Sequence, residues 1–224
     1  MTETVEVNGI VLSSMPVGEA DRRLSVLTKE LGKISCFARG ARRPTSALVS
    51  ATRPFAFGRF YLYSGRDSYT LNRAEITEYF ETIVMDVPSA SYGMYFLELS
   101  GRFAQENVDE GALLTLLYYS LRALTNERLD RKLVMRIFEM KALTLEGFAP
   151  EFTEGEGFAA RYELSKSAVY ALNFIERTDI PKLFTFLVTE EVLSEMGRVS
   201  EDLLSRALDR PLKSREFIDL LNGK

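Results

Sequence analysis

Residues 27–47, LTKELGKISCFARGARRPTSA, run through the end of one strand, a tight turn, a second strand and a loop loaded with arginine. Gly32 falls in the polar break between Glu30 and Lys33, where a two-strand turn takes a residue free to adopt positive φ. Ile34, Cys36 and Ala38 alternate with Ser35, Phe37 and Arg39, the period of a half-buried strand. Arg39, Arg42 and Arg43 then come within five residues, spaced by Gly40 and Ala41 and closed by Pro44. Small residues let a backbone approach a ligand closely, and guanidinium groups match phosphate oxygens two at a time. The loop therefore reads either as a contact for a phosphate backbone or as a solvated segment whose arginines pair with nearby acids.

Outward from this stretch the strand period continues. Val5, Val7, Ile10, Val11 and Leu12 form a first strand, followed by a turn over Met15–Glu19. Arg22, Leu24, Val26 and Thr28 lie in a second strand, with Leu24 and Val26 on one face. Thr45–Ala51 is a short helical connection. Phe55, Phe57, Phe60, Tyr61, Leu62 and Tyr63 make an aromatic fourth strand, ended by the turn Ser64–Asp67, and Tyr69–Ile76 is the fifth. Five short strands with a connector before the fourth fit a small closed barrel in the order of an OB-fold.

Pro88 marks a change to helical period, with Ser89 as a cap. Tyr92, Tyr95, Phe96, Leu99 and Phe103 share one face. Asp109 or Asn107 caps a second helix carrying Leu113, Leu116, Leu117, Leu121 and Leu124. A third runs from about Asp130 to Leu145 and stops at Gly147. Pro150–Arg161 has little periodicity and reads as a linker or flexible loop. Helical pattern resumes at Leu164, with Ser165 or Ser167 as cap. Pro181 starts a further turn, Thr189–Leu208 is one longer helix or a broken pair, and Leu212–Leu221 closes the chain. The expected fold class is α+β: a barrel domain over 1–80 and a helical domain over 81–224.

Composition narrows the function. The 224 residues are 46% hydrophobic and 27% charged, an ordinary globular balance. No apolar run approaches the ~20 residues of a membrane span, and the acidic start, Met1–Val7, lacks an apolar signal region. The expectation is a cytoplasmic protein. The one cysteine, Cys36, makes no internal disulfide and no metal site. Absence of histidine removes the usual general base and the commonest zinc ligand, which favours a binding protein over an enzyme. The net charge is −4, yet residues 1–80 carry 11 Lys and Arg against 8 Asp and Glu, while the remainder carries 17 against 24. The basic character is confined to the N-terminal third.

Three segments together carry a family likeness. GIVLSSMPVGEADRRLSVLTKELGKISCFARGARRPTSAL (9–48), RPFAFGRFYLY (53–63) with LNRAEI (71–76), and ALDRPLKSREFIDLL (207–221) resemble the RecO family of bacterial recombination mediators. The likeness implies an N-terminal OB-fold and a helical domain. It also implies binding of single- and double-stranded DNA, annealing of complementary strands and work with RecR. Contact with the C-terminal tail of single-stranded DNA-binding protein, help in placing RecA on coated DNA, and a nucleoid-associated place in the cytoplasm are implied as well. In many members a four-cysteine zinc module follows the third long helix. Here that place, FAPEFTEGEGFAARYELS (148–165), has no cysteine, so the chain resembles a variant with a shortened loop at 150–163 and no metal or other cofactor.

Arg39, Arg42 and Arg43 are the first candidates for phosphate contact. Arg22, Arg23, Lys29 and Lys33 follow, because the second and third strands would carry them toward the same face. Phe37, opposite Ile34 and Cys36 on its strand, is the candidate for base stacking. For the acidic, apolar tail peptide, Arg128, Arg131, Lys132 and Arg136 around the third helix would supply a cationic rim, with surface ion pairs as the alternative for each. The competing functional reading is a protein-interaction adaptor that keeps the barrel and binds no DNA.

Overall fold

The computed structural model describes residues 4–65 and 68–221. β1 (Thr4–Val17), β2 (Asp21–Thr28) and β3 (Gly32–Ala38) are followed by the short helix α1 (Leu48–Ala51), β4 (Phe57–Ser64) and β5 (Tyr69–Glu78). The strands close into a barrel in the order β1-β2-β3-β5-β4. β3 and β5 pair in parallel and all other neighbours are antiparallel. This is the OB-fold order the sequence predicts.

β1 closes the barrel because it serves two partners. Thr4–Ile10 pair with β4 and Gly9–Val17 with β2, and a register shift between Val11 and Ser13 turns the strand from one to the other. The turn expected at Met15–Glu19 is corrected here: Met15, Pro16 and Val17 still pair with Arg23, Arg22 and Asp21. β4 has left β1 by then, so Pro16 removes no ladder bond on that edge. The expected Ser64–Asp67 turn includes residues 66 and 67, which lie outside the described residues. Val7, Val11, Leu24, Val26, Ile34, Cys36, Phe60, Leu62 and Leu71 fill the interior, with Ala38 and Ala41 in the same core. Full burial of a Val, Leu or Phe contributes ~1.5–3 kcal/mol.

After β5 come α2 (Glu81–Met85), α3 (Val87–Phe103), α4 (Gly111–Leu124), α5 (Arg131–Leu145), α6 (Gly157–Arg161), α7 (Lys166–Arg177), α8 (Glu190–Ala207) and α9 (Lys213–Leu221). Asp130, Ser165 and Thr189 cap α5, α7 and α8 by accepting backbone N–H groups. Ser89 does not cap α3. Asp86 does, accepting the Ser89 N–H at 3.0 Å, and Pro88 sits in the first turn where its missing N–H costs nothing. The stretch read as a linker over Pro150–Arg161 holds the single-turn helix α6 and a buried anchor, Phe152. No helix among the described residues is long and apolar enough to cross a membrane.

The chain divides into two compact units. The first holds the barrel, through Glu81, together with Leu97–Leu114. The second holds Thr82–Phe96 and the chain from Thr115 on. Within the first unit, the segment after α3 straps the β2–β3 hairpin. Lys33 N–H donates to the Gln105 carbonyl (2.8 Å), Asn107 N–H to Leu31 (3.0 Å) and Glu110 N–H to Lys29 (2.9 Å). Gly32 makes this fit possible: its φ is +65°, and a Cβ there would lie 2.0 Å from the Gln105 oxygen.

Candidate nucleic-acid interface

The arginine-rich loop is held by the residues between its arginines. Ala41 is fully buried in the barrel core, which leaves Arg39, Arg42 and Arg43 exposed around it. Gly40, at φ +66°, donates its N–H to Asp21 Oδ1 (2.7 Å). Arg42 is clasped to the β1–β2 turn twice, by its N–H to the Ala20 carbonyl (2.8 Å) and by Nη1 to the Gly18 carbonyl (2.9 Å). The loop after β3 and the turn before β2 are thereby one surface.

The strand register adds two cations to that surface. Arg22 pairs with Ala38 and Arg23 with Phe37. Arg23 lies on the outer face of β2, its Nε donating to Ser35 Oγ (3.0 Å) and its guanidinium 5.9 Å from the Phe37 ring centre. Arg22 has the inward parity of Leu24 and Val26. It is half-buried, and its Nη1 donates to Ser14 Oγ (3.0 Å). Among the described residues, none of Arg22, Arg23, Arg39, Arg42 and Arg43 has a carboxylate within ion-pair distance. The β1–β4–β5 wall is the opposite case. Arg59 pairs there with Glu6 and Glu75, and Arg73 pairs with Glu75 and lies 4.0 Å above the Tyr61 ring.

The two lysines do not join the arginines. Lys29 is in the β2–β3 turn, at the far end of the β2–β3 ladder from Arg39 and so ~26 Å away along the hairpin. Lys33 shares the outer face of Arg23 and Phe37, but its ammonium donates to the Gly101 carbonyl at 2.7 Å, in the last turn of α3. The strap thus covers one half of the β2–β3 face and leaves the Arg23–Phe37 half. Phe37 is half-buried, with Arg23 beside its ring. Cys36, on the inner face, has its thiol pushed up to about 12 by burial.

A closed barrel with this strand order and a helical C-terminal part is matched along nearly the whole chain by a known family. The profile described as recombination protein O N terminal matches residues 1–80, and the one described as recombination protein O C terminal matches 85–157 and 154–216. The chain belongs to the RecO family. The DNA repair protein RecO of Acetivibrio thermocellus is 30% identical over 97% of both chains. That of Clostridium perfringens is 25% identical over 97% of this chain and 98% of its own. That of Alkaliphilus metalliredigens is 36% identical over 66% of this chain and 61% of its own.

The C-terminal RecO region holds the four cations expected around α5, in three different settings. Arg128 is exposed in the turn before the helix. Arg131 is ion-paired with Asp86 (3.0 Å) and donates to Ser89 Oγ. Arg136 is not a rim residue. It reaches Glu139 Oε2 (2.8 Å), Ser200 Oγ (3.1 Å) and Glu201 Oε1 (2.6 Å), and Glu139, wholly buried, also accepts from Tyr95 and Ser200 hydroxyls. Arg215 of α9 completes this network at Glu201 (2.7 Å). Burial opposes the Arg136 charge, but Glu139 and Glu201 outweigh it and hold the guanidinium more basic than usual. Lys132 is exposed beside a 320 Å³ cavity lined by Met135, Leu193 and Ile218 together with the carboxylates Glu190, Glu201 and Asp219. Among the described residues no cluster of three His, Cys, Asp or Glu side chains is arranged to hold a metal.

The sequence reading missed Asp21, Ser35 and the 105–110 strap. Asp21 sits beside two arginines and reads as one more surface charge, and no local pattern marks the strap.

Proposed function

We propose that this RecO-family chain works in DNA repair and homologous recombination as a mediator that binds DNA through phosphates at the loop-and-turn end of its barrel. One observation carries the reading: five arginines from separate segments meet at that end and none is neutralised by a carboxylate among the described residues. OB-folds bind oligonucleotides across the strand 2–3 face and the loops joining strands 1–2 and 4–5; Arg23 stands on that face, and the arginine loop after β3 is tied to the turn between strands 1 and 2. Phosphate contact of this kind is independent of sequence and serves single and double strands alike.

Such a surface favours annealing without covalent chemistry. Cations that screen phosphate repulsion and hold two strands side by side lower the barrier to pairing. The likeness to RecO proteins extends the proposal to RecR as partner, to the tail of single-stranded DNA-binding protein, and to RecA loading on DNA coated by that protein. For the tail peptide, the support is the family likeness, with Lys132 beside a cavity of mixed lining in which Met135, Leu193 and Ile218 stand with Glu190, Glu201 and Asp219. A cytoplasmic, nucleoid-associated location goes with this role.

The test is fluorescence anisotropy with a labelled single strand at low salt, followed by annealing of a complementary pair. Binding and faster annealing are expected. A chain that binds neither single nor double strands at low salt is an adaptor for proteins, and the mediator reading fails.

A further inference from the structure

Asp21 stands among the cations without pairing to any of them. Its neighbours are Arg22 in sequence and, through the loop, Arg39, Arg42 and Arg43. Yet its carboxylate has none of these within ion-pair distance and instead accepts the Gly40 N–H at 2.7 Å. A carboxylate beside a polyanion site opposes binding on charge alone. Its hydrogen bond does the reverse. It holds Gly40, at φ +66°, between Arg39 and Ala41, while the two Arg42 bonds fix the next residues to the same turn.

We propose that Asp21 is a positioning residue for DNA binding: its carboxylate clamps the arginine loop onto the β1–β2 turn, and this outweighs the repulsion of its own charge. The inference rests on the DNA-binding reading above. It predicts the sign of an effect that charge counting gets wrong. Asp21→Ala removes a negative charge from a phosphate site and weakens binding, because Arg39 and Arg43 lose their fixed separation. Asp21→Asn also removes the charge but keeps an oxygen for the Gly40 N–H, and binds at least as tightly as the unaltered chain. Asp21→Glu keeps the charge and displaces the acceptor by one methylene, and binds more weakly than the unaltered chain.

The experiment is anisotropy with a labelled oligothymidine over a salt series on the full chain and the three variants. Loss of two fixed phosphate contacts corresponds to roughly a tenfold or greater fall in affinity for Asp21→Ala, and to a salt slope shallower by ~1.4. Amide exchange at Gly40 speeds up in Asp21→Ala and Asp21→Glu and stays slow in Asp21→Asn. Tighter binding by Asp21→Ala, or Asp21→Glu indistinguishable from the unaltered chain, overturns the inference while leaving DNA binding intact. If Asp21→Ala does not fold, the Asp21→Glu and Asp21→Asn pair still decides it. An unaltered chain that does not bind the oligothymidine overturns the DNA-binding reading itself, and the inference with it.

Discussion

Replacing Glu139 by Gln removes one charge from a fully buried site and leaves two guanidinium groups facing it. Glu139 is 0% exposed, the Arg136 side chain 11% and the Arg215 side chain 24%. Removing one partner of a buried ion pair costs about 3–5 kcal/mol, because the remaining charge is left uncompensated in a poorly solvated place. Two features pull Glu139→Gln to the low end. Arg136 keeps Glu201 at 2.6 Å, and the new amide still offers an acceptor to Tyr95 or Ser200. The expected loss is therefore about 3 kcal/mol. In a chain of this size 1 kcal/mol moves the melting temperature by about 2–4 °C, so the shift should be about 6–12 °C. Urea unfolding followed by circular dichroism measures it directly, with an unchanged slope showing that the unfolded state is not what moved. A loss under about 1 kcal/mol, the scale of an exposed pair, would refute the reasoning.

Three further outcomes follow from the same geometry. Cys36, whose thiol burial pushes up to about 12, should resist a thiol reagent at neutral pH in the folded chain and react at once in urea. Burial opposes the Glu201 charge, but Arg136 and Arg215 outweigh it and hold the carboxyl below its ordinary 4.5. That stabilisation is present above 4.5 and lost as pH falls below it, so the urea midpoint should drop on acidification, less steeply in Glu201→Gln. Gly32→Ala should cost at least about 2 kcal/mol, because φ +65° strains any side chain and the new Cβ would strike the Gln105 oxygen; an unfolding curve unchanged from the parent would contradict this.

The barrel was legible because its strands expose one face and bury the other. Ile34, Cys36 and Ala38 point inward as their spacing requires, and Gly32 turns the hairpin at positive φ. The Ser165 cap was legible for a similar reason, since it satisfies a donor three residues away, whereas at α3 the cap is Asp86 and not Ser89. What stayed hidden depends on partners distant in sequence. β1 runs through Pro16 because β2 holds it there, and the 105–110 strap exists only beside the hairpin it covers. Arg136 reads from sequence as a rim cation or a surface ion pair, and only the arrival of α8 and α9 makes it, with Glu139, part of a buried network. Lys141 is 7% exposed for the same kind of reason: it donates to three carbonyls at and beyond the end of α7, which no local pattern announces. At the candidate interface the loop arginines were legible from their spacing, whereas the loss of Lys33 to the Gly101 carbonyl was not.

The salt dependence of single-stranded DNA binding, compared between the unaltered chain, Arg39→Ala/Arg43→Ala and Arg59→Ala/Arg73→Ala, tests the loop-and-turn surface most directly. Each phosphate contact contributes about −0.7 to the slope of log affinity against log salt. Removing the loop pair should make the slope shallower by about 1.4, while removing the pair already neutralised by Glu6 and Glu75 leaves it unchanged. Equal slopes for all three, or a change confined to Arg59→Ala/Arg73→Ala, would place the phosphates elsewhere and contradict the account.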